Sequence, residues 1–229
     1  MNKIEKKIIA IGGVGVTPES DKSLDRFILD QLNNLKKNIG LLATASKDDE
    51  EKISSYYKRF ENTNSELSHF NLTSNVNGFS EWLLSKDLIY VGGGNTSFML
   101  EIWKKNNLEE IFKIAYEKGI ILSGVSAGAV CWFDWILSDS MGRGFKPLKG
   151  INLIEGSCTP HSSNVERINK FEFDIKNNKL PEGIAIDDGV AVVFIDGKPT
   201  EVYSTVDNHN AYFLDKNKKI NLKEYIKII

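Results

Sequence analysis

A chain of 229 residues with a hydrophobic fraction of 41% can fill one α/β core, and a single domain over residues 1–229 is expected. Charged residues make up 26% and the formal net charge is -2, so neither a basic surplus for nucleic acid nor an acidic solvating arm is present. The opening MNKIEKKIIAIGG is charged, then only briefly apolar, and no stretch is long and apolar enough to span a bilayer; a cytoplasmic protein without a membrane or nucleic-acid partner is expected.

Lys7 to Gly12 reads as a short buried strand ending in glycine. Ser20 to Lys37 has helical spacing of Leu24, Phe27, Ile28, Leu32 and Leu35. A strand over Ile39 to Ala45, a helix over Asp48 to Phe60, a weak strand over Leu67 to Leu72 and a short helix over Phe79 to Leu84 follow. Asp87 to Val91 is a clear strand, and GGGNT comes directly after it. Helices over about Ser97 to Lys105 and Leu108 to Glu117 stop at Gly119. Then come a strand at Ile120 to Leu122, a helix from Ala127 to Trp135, a strand at Ile151 to Ile154 and a helix over Val165 to Asn177. From Gly183 onward the runs are short and β-rich (Val190 to Ile195, Thr200 to Tyr203, Ala211 to Leu214), with Asp-Gly and Asn-rich turns that suit antiparallel hairpins. This order implies an α/β fold, a doubly wound and mostly parallel sheet with an antiparallel C-terminal part.

Ile120 to Val130 carries the strongest motif, IILSGVSAGAV. An apolar strand enters Gly124-Val125-Ser126-Ala127-Gly128 and a helix leaves it, which is G-x-S-x-G in the strand-turn-helix setting of a nucleophile elbow. A hydroxyl at the tip of so tight a bend is pushed outward, and residues two places away on either side must be small to let strand and helix pass. The start of the following helix aims donors at developing negative charge. A packing turn would use the same small residues, so the pattern needs partners elsewhere.

Tyr90 to Thr96 offers them: three glycines after a strand expose main-chain amides, one crossover before Ser126. A glycine loop beside an elbow fits an oxyanion hole made of the Ala127 amide and the Gly94 amide. A phosphate loop fits worse. Ser97 stands where the third glycine of G-x-G-x-x-G would be, no Walker lysine follows, and Pro18 breaks the similar pattern begun by Gly13-Val14-Gly15.

A serine hydroxyl needs a base. Of His69, His161 and His209, His161 sits best, in a polar loop (SCTPHSS) between a strand and a helix. The acid that would hold its other nitrogen is open among Asp134, Asp139, Asp174, Asp187 and Asp188; Asp187-Asp188-Gly189 follows a strand but also suits a hairpin turn. The order serine, histidine, acid differs from that of the α/β-hydrolases. Cys131 and Cys158 form no metal-ligand cluster, Cys131 is expected as a buried free thiol, and neither metal nor cofactor is expected.

The segments IIAIGG, LLATAS, IYVGGGNT, GVSAGAVCWF, GSCTPH and IDDGVAV, in this order along nearly the whole chain, resemble the peptidase E (aspartyl dipeptidase) family of serine peptidases. The resemblance implies a flavodoxin-like sheet related to class I glutamine amidotransferases, with serine in place of their cysteine. It implies Ser126 as nucleophile, His161 as base, and Gly94 and Ala127 as oxyanion donors, with Asn95 nearby. Where the family often has a glutamate to orient the histidine, this chain has Asp188, one methylene shorter, which leaves open direct contact, a bridging water or a dyad. After the histidine, Arg167 matches a generally present arginine, while Asn164 takes the place of the one that reads an N-terminal aspartate. The expected activity is hydrolysis of short peptides through an acyl-enzyme, as a dipeptidase or N-terminal exopeptidase, with Asp-X specificity open. The alternatives are a non-peptide amidase or esterase, a cyanophycinase-like hydrolase and a non-catalytic binding relative; a monomer or homodimer would serve any of them.

Overall fold

The computed structural model describes residues 4–13, 23–32, 37–61 and 63–228. In chain order the strands are β1 (Lys7–Ile11), β2 (Lys37–Leu42), β3 (Ser65–His69), β4 (Leu88–Val91), β5 (Ile121–Val125), β6 (Phe133–Ser138), β7 (Lys146–Lys149), β8 (Ile154–Thr159), β9 (Gly183–Ile186), β10 (Val190–Ile195), β11 (Lys198–Ser204), β12 (Ala211–Leu214) and β13 (Lys219–Asn221). The helices are α1 (Ser23–Asp30), α2 (Glu50–Phe60), α3 (Phe79–Leu84), α4 (Thr96–Lys105), α5 (Glu109–Glu117), α6 (Ala127–Val130), α7 (Val165–Lys176) and α8 (Leu222–Tyr225). The ends of the helix expected over Ser20 to Lys37, and residues 14–18 of the first glycine turn, lie outside the described residues.

Two sheets carry the chain. The first has the order β11-β10-β1-β5-β4-β2-β3 and the second β13-β12-β9-β8-β6-β7. In the first, β1, β5, β4, β2 and β3 run parallel, and β10 and β11 extend it as an antiparallel edge against β1. The central strands KIIAI, LIYV and ILSGV are almost wholly buried because helices or the second sheet cover both faces. On one face Leu24, Phe27 and Ile28 of α1 and Ile53, Tyr56 and Phe60 of α2 pack on Ile9, Ile11, Leu41 and Tyr90. On the other, the rings of Trp103, Phe112 and Trp132 pack in tilted and edge-on contact at centroid distances of 4.4 to 5.9 Å. The same core runs on to the second sheet, where Phe133 meets Phe194 edge-on at 5.4 Å.

The sequence and the structure part company after the elbow. The helix expected from Ala127 to Trp135 stops at Val130, and Phe133–Ser138 is a strand. Its residues FDWILS pair with β8 on one side and β7 on the other, and these sheet contacts outweigh the weak helical preference of an aromatic, β-branched run. The strand expected at Ile151 to Ile154 lies further on, at Ile154–Thr159. Asp187-Asp188-Gly189 is not a hairpin turn: it leaves β9 of the second sheet and enters β10 of the first. The hairpins of the C-terminal part are β10 with β11 and β12 with β13.

Candidate active site

Four strands end at one place. The parallel neighbours β4 and β5 of the first sheet deliver the glycine loop and Ser126, and the parallel neighbours β8 and β9 of the second deliver His161 and Asp188. Ligand sites lie at the carboxyl ends of parallel strands because the connecting loops are free to vary there. Here two such ends face one another.

Ser126 has φ 53° and ψ -111°, far from any favoured region for a side-chain-bearing residue. Its amide donates to Ile11 O at 2.9 Å and its carbonyl accepts from Ala129 and Val130, so the bend is held on both sides. No side chain would fit at the flanking glycines. A β-carbon on Gly124 would lie 2.4 Å from Gly128 O, and one on Gly128 would lie 2.1 Å from Val91 O. The helix behind the elbow has only four residues, so its dipole adds little; what it offers is the Ala127 amide.

Ser126 Oγ and His161 Nε2 are 2.8 Å apart, and His161 Nδ1 and Asp188 Oδ1 are 2.5 Å apart. The carboxylate accepts at Nδ1, so that nitrogen carries the proton and Nε2 is left to accept from the serine hydroxyl. Asp188 is thus in direct contact with the histidine despite its short side chain. The carboxyl is held below the usual aspartate range by the hydrogen bond from His161, against the effect of burial, with help from Ser163 Oγ, which donates to Asp188 Oδ2 at 3.1 Å. His161 itself has φ 51°, a second strained residue.

The reach of Asp188 depends on the first strand. Gly13 pairs with Asp188 in an isolated parallel bridge, and its carbonyl accepts from Gly189 N at 2.7 Å. A β-carbon on Gly13 would lie 1.9 Å from Asp188 Oδ1 and 2.6 Å from His161 Nδ1. This contact was not legible beforehand. In the sequence Gly13 belongs to Gly13-Val14-Gly15, which Pro18 bars from a phosphate loop, and to IIAIGG, and neither pattern points to the acid.

The other acids and histidines are engaged elsewhere. Asp187 is buried; its carboxylate accepts from Ser162 Oγ at 2.6 Å and from Asn210 N at 3.0 Å, which braces the turn. Asp134 pairs with Lys149, Asp174 with Lys170, and Asp139 with Arg167 at 2.7 Å. His69 contacts the Tyr57 hydroxyl. His209 lies behind the acid, with Nδ1 2.7 Å from the Asp188 carbonyl.

Ser126 and His161 open into a cleft of about 270 Å³ bordered by Gly94, Thr96, Leu137, Asp139 and Arg167. Burial pulls the Arg167 guanidinium's pKa down from its ordinary value, and Asp139 opposes the shift. Two of the three residues named as substrate contacts serve as helix caps: Asn95 Oδ1 accepts from Phe98 N and Asn164 Oδ1 from Arg167 N. Gly94 has φ +143°, and a β-carbon there would lie 2.3 Å from Ala45 O. Around it Gly92 N donates to Leu42 O and Asn95 N to Ala45 O, whereas the Gly94 and Ala127 amides donate to no atom of the described residues. Cys131 and Cys158 are buried free thiols whose pKa values burial pushes up, which makes them poor nucleophiles. Among the described residues no group of three or more histidine, cysteine, aspartate or glutamate side chains could hold a metal ion, and no helix is long and apolar enough to cross a membrane.

Comparison with known proteins matches residues 8–202 to the model of peptidase family S51. An uncharacterized peptidase of Bacillus subtilis (strain 168), YgaJ, is 36% identical over 210 residues, which cover 90% of this chain and 91% of that protein. Among solved structures, a peptidase from an acI-B1 actinobacterium superposes with a TM-score of 0.70 at 18% identity, covering 96% of this chain and 98% of its own. A candidate peptidase E protein from Listeria monocytogenes EGD-e superposes with a TM-score of 0.66 at 17% identity, covering 88% of this chain and 100% of its own. At these identities the two structures speak for the α/β fold alone.

Proposed function

The chain belongs to peptidase family S51 and is a serine peptidase, and from that premise we propose that it hydrolyses short peptides by acyl transfer through Ser126. The observation that carries this reading is the unbroken line of contacts from Ser126 Oγ to His161 Nε2 and from His161 Nδ1 to Asp188, opening on a small cleft. Ser126 Oγ attacks the scissile carbonyl as its proton passes to His161 Nε2, and the imidazolium that forms is stabilised by the Asp188 carboxylate. The amides of Gly94 and Ala127 receive the oxyanion, each worth roughly 10²–10³ in rate. His161 then returns the proton to the leaving amine, and water releases the acyl group by the same steps in reverse.

The cleft supports a small substrate, since a volume of about 270 Å³ is of a size for one or two residues. A dipeptide or the N-terminal end of a peptide is the substrate class. Arg167 is already bonded to Asp139 and the Leu137 carbonyl, and Asn164 caps a helix. An N-terminal aspartate would therefore meet a guanidinium whose charge Asp139 already offsets, so dipeptides with a neutral first side chain are favoured over Asp-X.

The test is a panel of X-Ala and Asp-X dipeptides, with aminoacyl amides and esters beside them, assayed with wild type and Ser126→Ala. Wild type should cleave dipeptides and react with a fluorophosphonate, and the variant should do neither. Full activity in Ser126→Ala would refute the mechanism, and cleavage of the esters and amides alone would refute the substrate class.

A further inference from the structure

We propose that His209 is a positioning residue for the acid of the triad, fixing the main chain of Asp188 so that its short side chain meets His161. The inference rests on the triad reading above.

Asp188 has two side-chain torsions, so the place of its carboxylate follows closely from the place of its backbone. The margin is small. The carboxylate meets His161 at 2.5 Å, and Gly13 lies directly against that contact, where a β-carbon would crowd both groups. The backbone here belongs to a crossing between two sheets and gains nothing from a regular ladder. Besides the Gly13 bridge and the bond from Ser162, the segment that precedes β12 restrains it. Asp187 N donates to Asn210 O at 3.0 Å, Asn210 N donates to Asp187 Oδ2 at 3.0 Å, and Thr205 donates to Gly189 O from both its amide (3.0 Å) and its hydroxyl (3.1 Å). Between these grips His209 supplies a side-chain hydrogen bond to the main chain of Asp188, from Nδ1 to the carbonyl at 2.7 Å.

A carbonyl only accepts, so His209 Nδ1 carries a proton and donates it. Nε2 remains outside the bond, and the positive charge of a protonated His209 would favour the ionised form of Asp188. The same Nδ1 position is occupied by the amide nitrogen of asparagine, whereas glutamine places its nitrogen one methylene further out. A hydrogen bond of this kind supports a rate effect of about tenfold when only one alignment is productive.

The experiment compares kcat and KM for the best dipeptide of the panel in wild type, His209→Ala, His209→Asn, His209→Gln, Asp188→Ala and the double variant Asp188→Ala/His209→Ala, with thermal unfolding of each. His209→Ala should lower kcat about tenfold with KM within about twofold, and His209→Asn should restore most of it while His209→Gln should not. In the Asp188→Ala background, removing His209 should cost nothing further, because the two act as one unit. An undiminished loss in that background would show a merely structural histidine and overturn the proposal, as would a His209→Ala enzyme with wild-type kcat. If His209→Ala does not fold, the asparagine and glutamine variants decide, and equal rates overturn the proposal. Should Asp188→Ala itself run at full rate, the triad reading fails and this inference with it. A slow Asp188→Ala beside an unaffected His209→Ala removes the inference alone.

Discussion

Gly13→Ala tests whether the contact between Asp188 and His161 governs the rate. The added β-carbon would start 1.9 Å from Asp188 Oδ1 and 2.6 Å from His161 Nδ1, against ordinary contact at 3.4 Å. Relief on the acid side alone needs a retreat of about 1.5 Å, from 1.9 to 3.4 Å. Such a retreat from a 2.5 Å hydrogen bond breaks it. Asp188 cannot move freely, since its Oδ2 is held by Ser163 and the neighbouring Asp187 is tied to Ser162 and Asn210. Losing the acid of a serine triad costs roughly 10⁴ in kcat, and partial relaxation of the backbone brings the expected loss to about 10³, or about 4 kcal/mol of transition-state stabilisation. The overpacking also costs about 1–3 kcal/mol of fold stability, a drop of several degrees in Tm. Fluorophosphonate titration at a temperature well below Tm counts the folded sites, and kcat per titrated site on a dipeptide gives the rate. Gly93→Ala is the matched control. Its β-carbon would meet Ser126 Cβ at 3.3 Å, a contact that a few tenths of an ångström relieve, so a loss under about tenfold is expected. A Gly13→Ala enzyme with wild-type kcat would refute the reasoning, because the acid would then have either room to move or no part in the reaction.

The depressed carboxyl of Asp188 makes a stability prediction. A group whose pKa is lower folded than unfolded stabilises the fold above its unfolded value, about 3.9 for aspartate, and that contribution is lost as pH falls through the folded value. The Tm of wild type should therefore exceed that of Asp188→Asn at neutral pH, with the gap closing below about pH 3.9; a gap that widens in acid would contradict the assignment. Asn164→Ala removes the cap of α7 and should cost about 1 kcal/mol of stability while leaving kcat and KM unchanged. A large rise in KM would instead mark Asn164 as a substrate contact.

Much of the site could be read from local pattern, and the part that could not depends on which strands become neighbours. GVSAG is a local signal, since two glycines and an alanine around a serine answer to one tight bend, and the crowding at Gly124 and Gly128 is the physical form of that pattern. The choice among five aspartates was not local. Asp188 prevails because β9 pairs with β8, which sets the residues after both strands side by side; nothing in the spacing of 27 residues between His161 and Asp188 states that pairing. The second sheet was hard to see for similar reasons. Its edge strand KPLK contains Pro147, tolerated only where one side of a strand is unpaired, and β8 (IEGSCT) has glycine, serine and cysteine where a strand usually shows branched apolar residues. The residues AVCWFDWIL after the elbow are apolar at both helical and strand spacing, so only the contacts of β6 decide where the helix ends.

The two-sheet arrangement explains how a short acid can serve. The proposed nucleophile and oxyanion loop come from the first sheet, the proposed base and acid from the second, and the distance between them is set by how closely the sheets approach at their carboxyl ends. Asp187 to Gly189 is one of the covalent links between the sheets, and Gly13, just after β1, is where the first strand's end touches that link. A longer acid would tolerate a wider gap at this seam. With aspartate the seam must be narrow, which is why a glycine stands opposite the carboxylate and why groups from three directions, the side chains of Ser162 and Ser163, Thr205, and the His209 ring beside the Asn210 main chain, converge on three consecutive residues. It follows that Asp188→Glu should not be a conservative change. The extra methylene would crowd a seam so tight that even a β-carbon added at Gly13 would lie 1.9 Å from the carboxylate, and the variant should lose activity although it keeps both charge and hydrogen-bonding capacity.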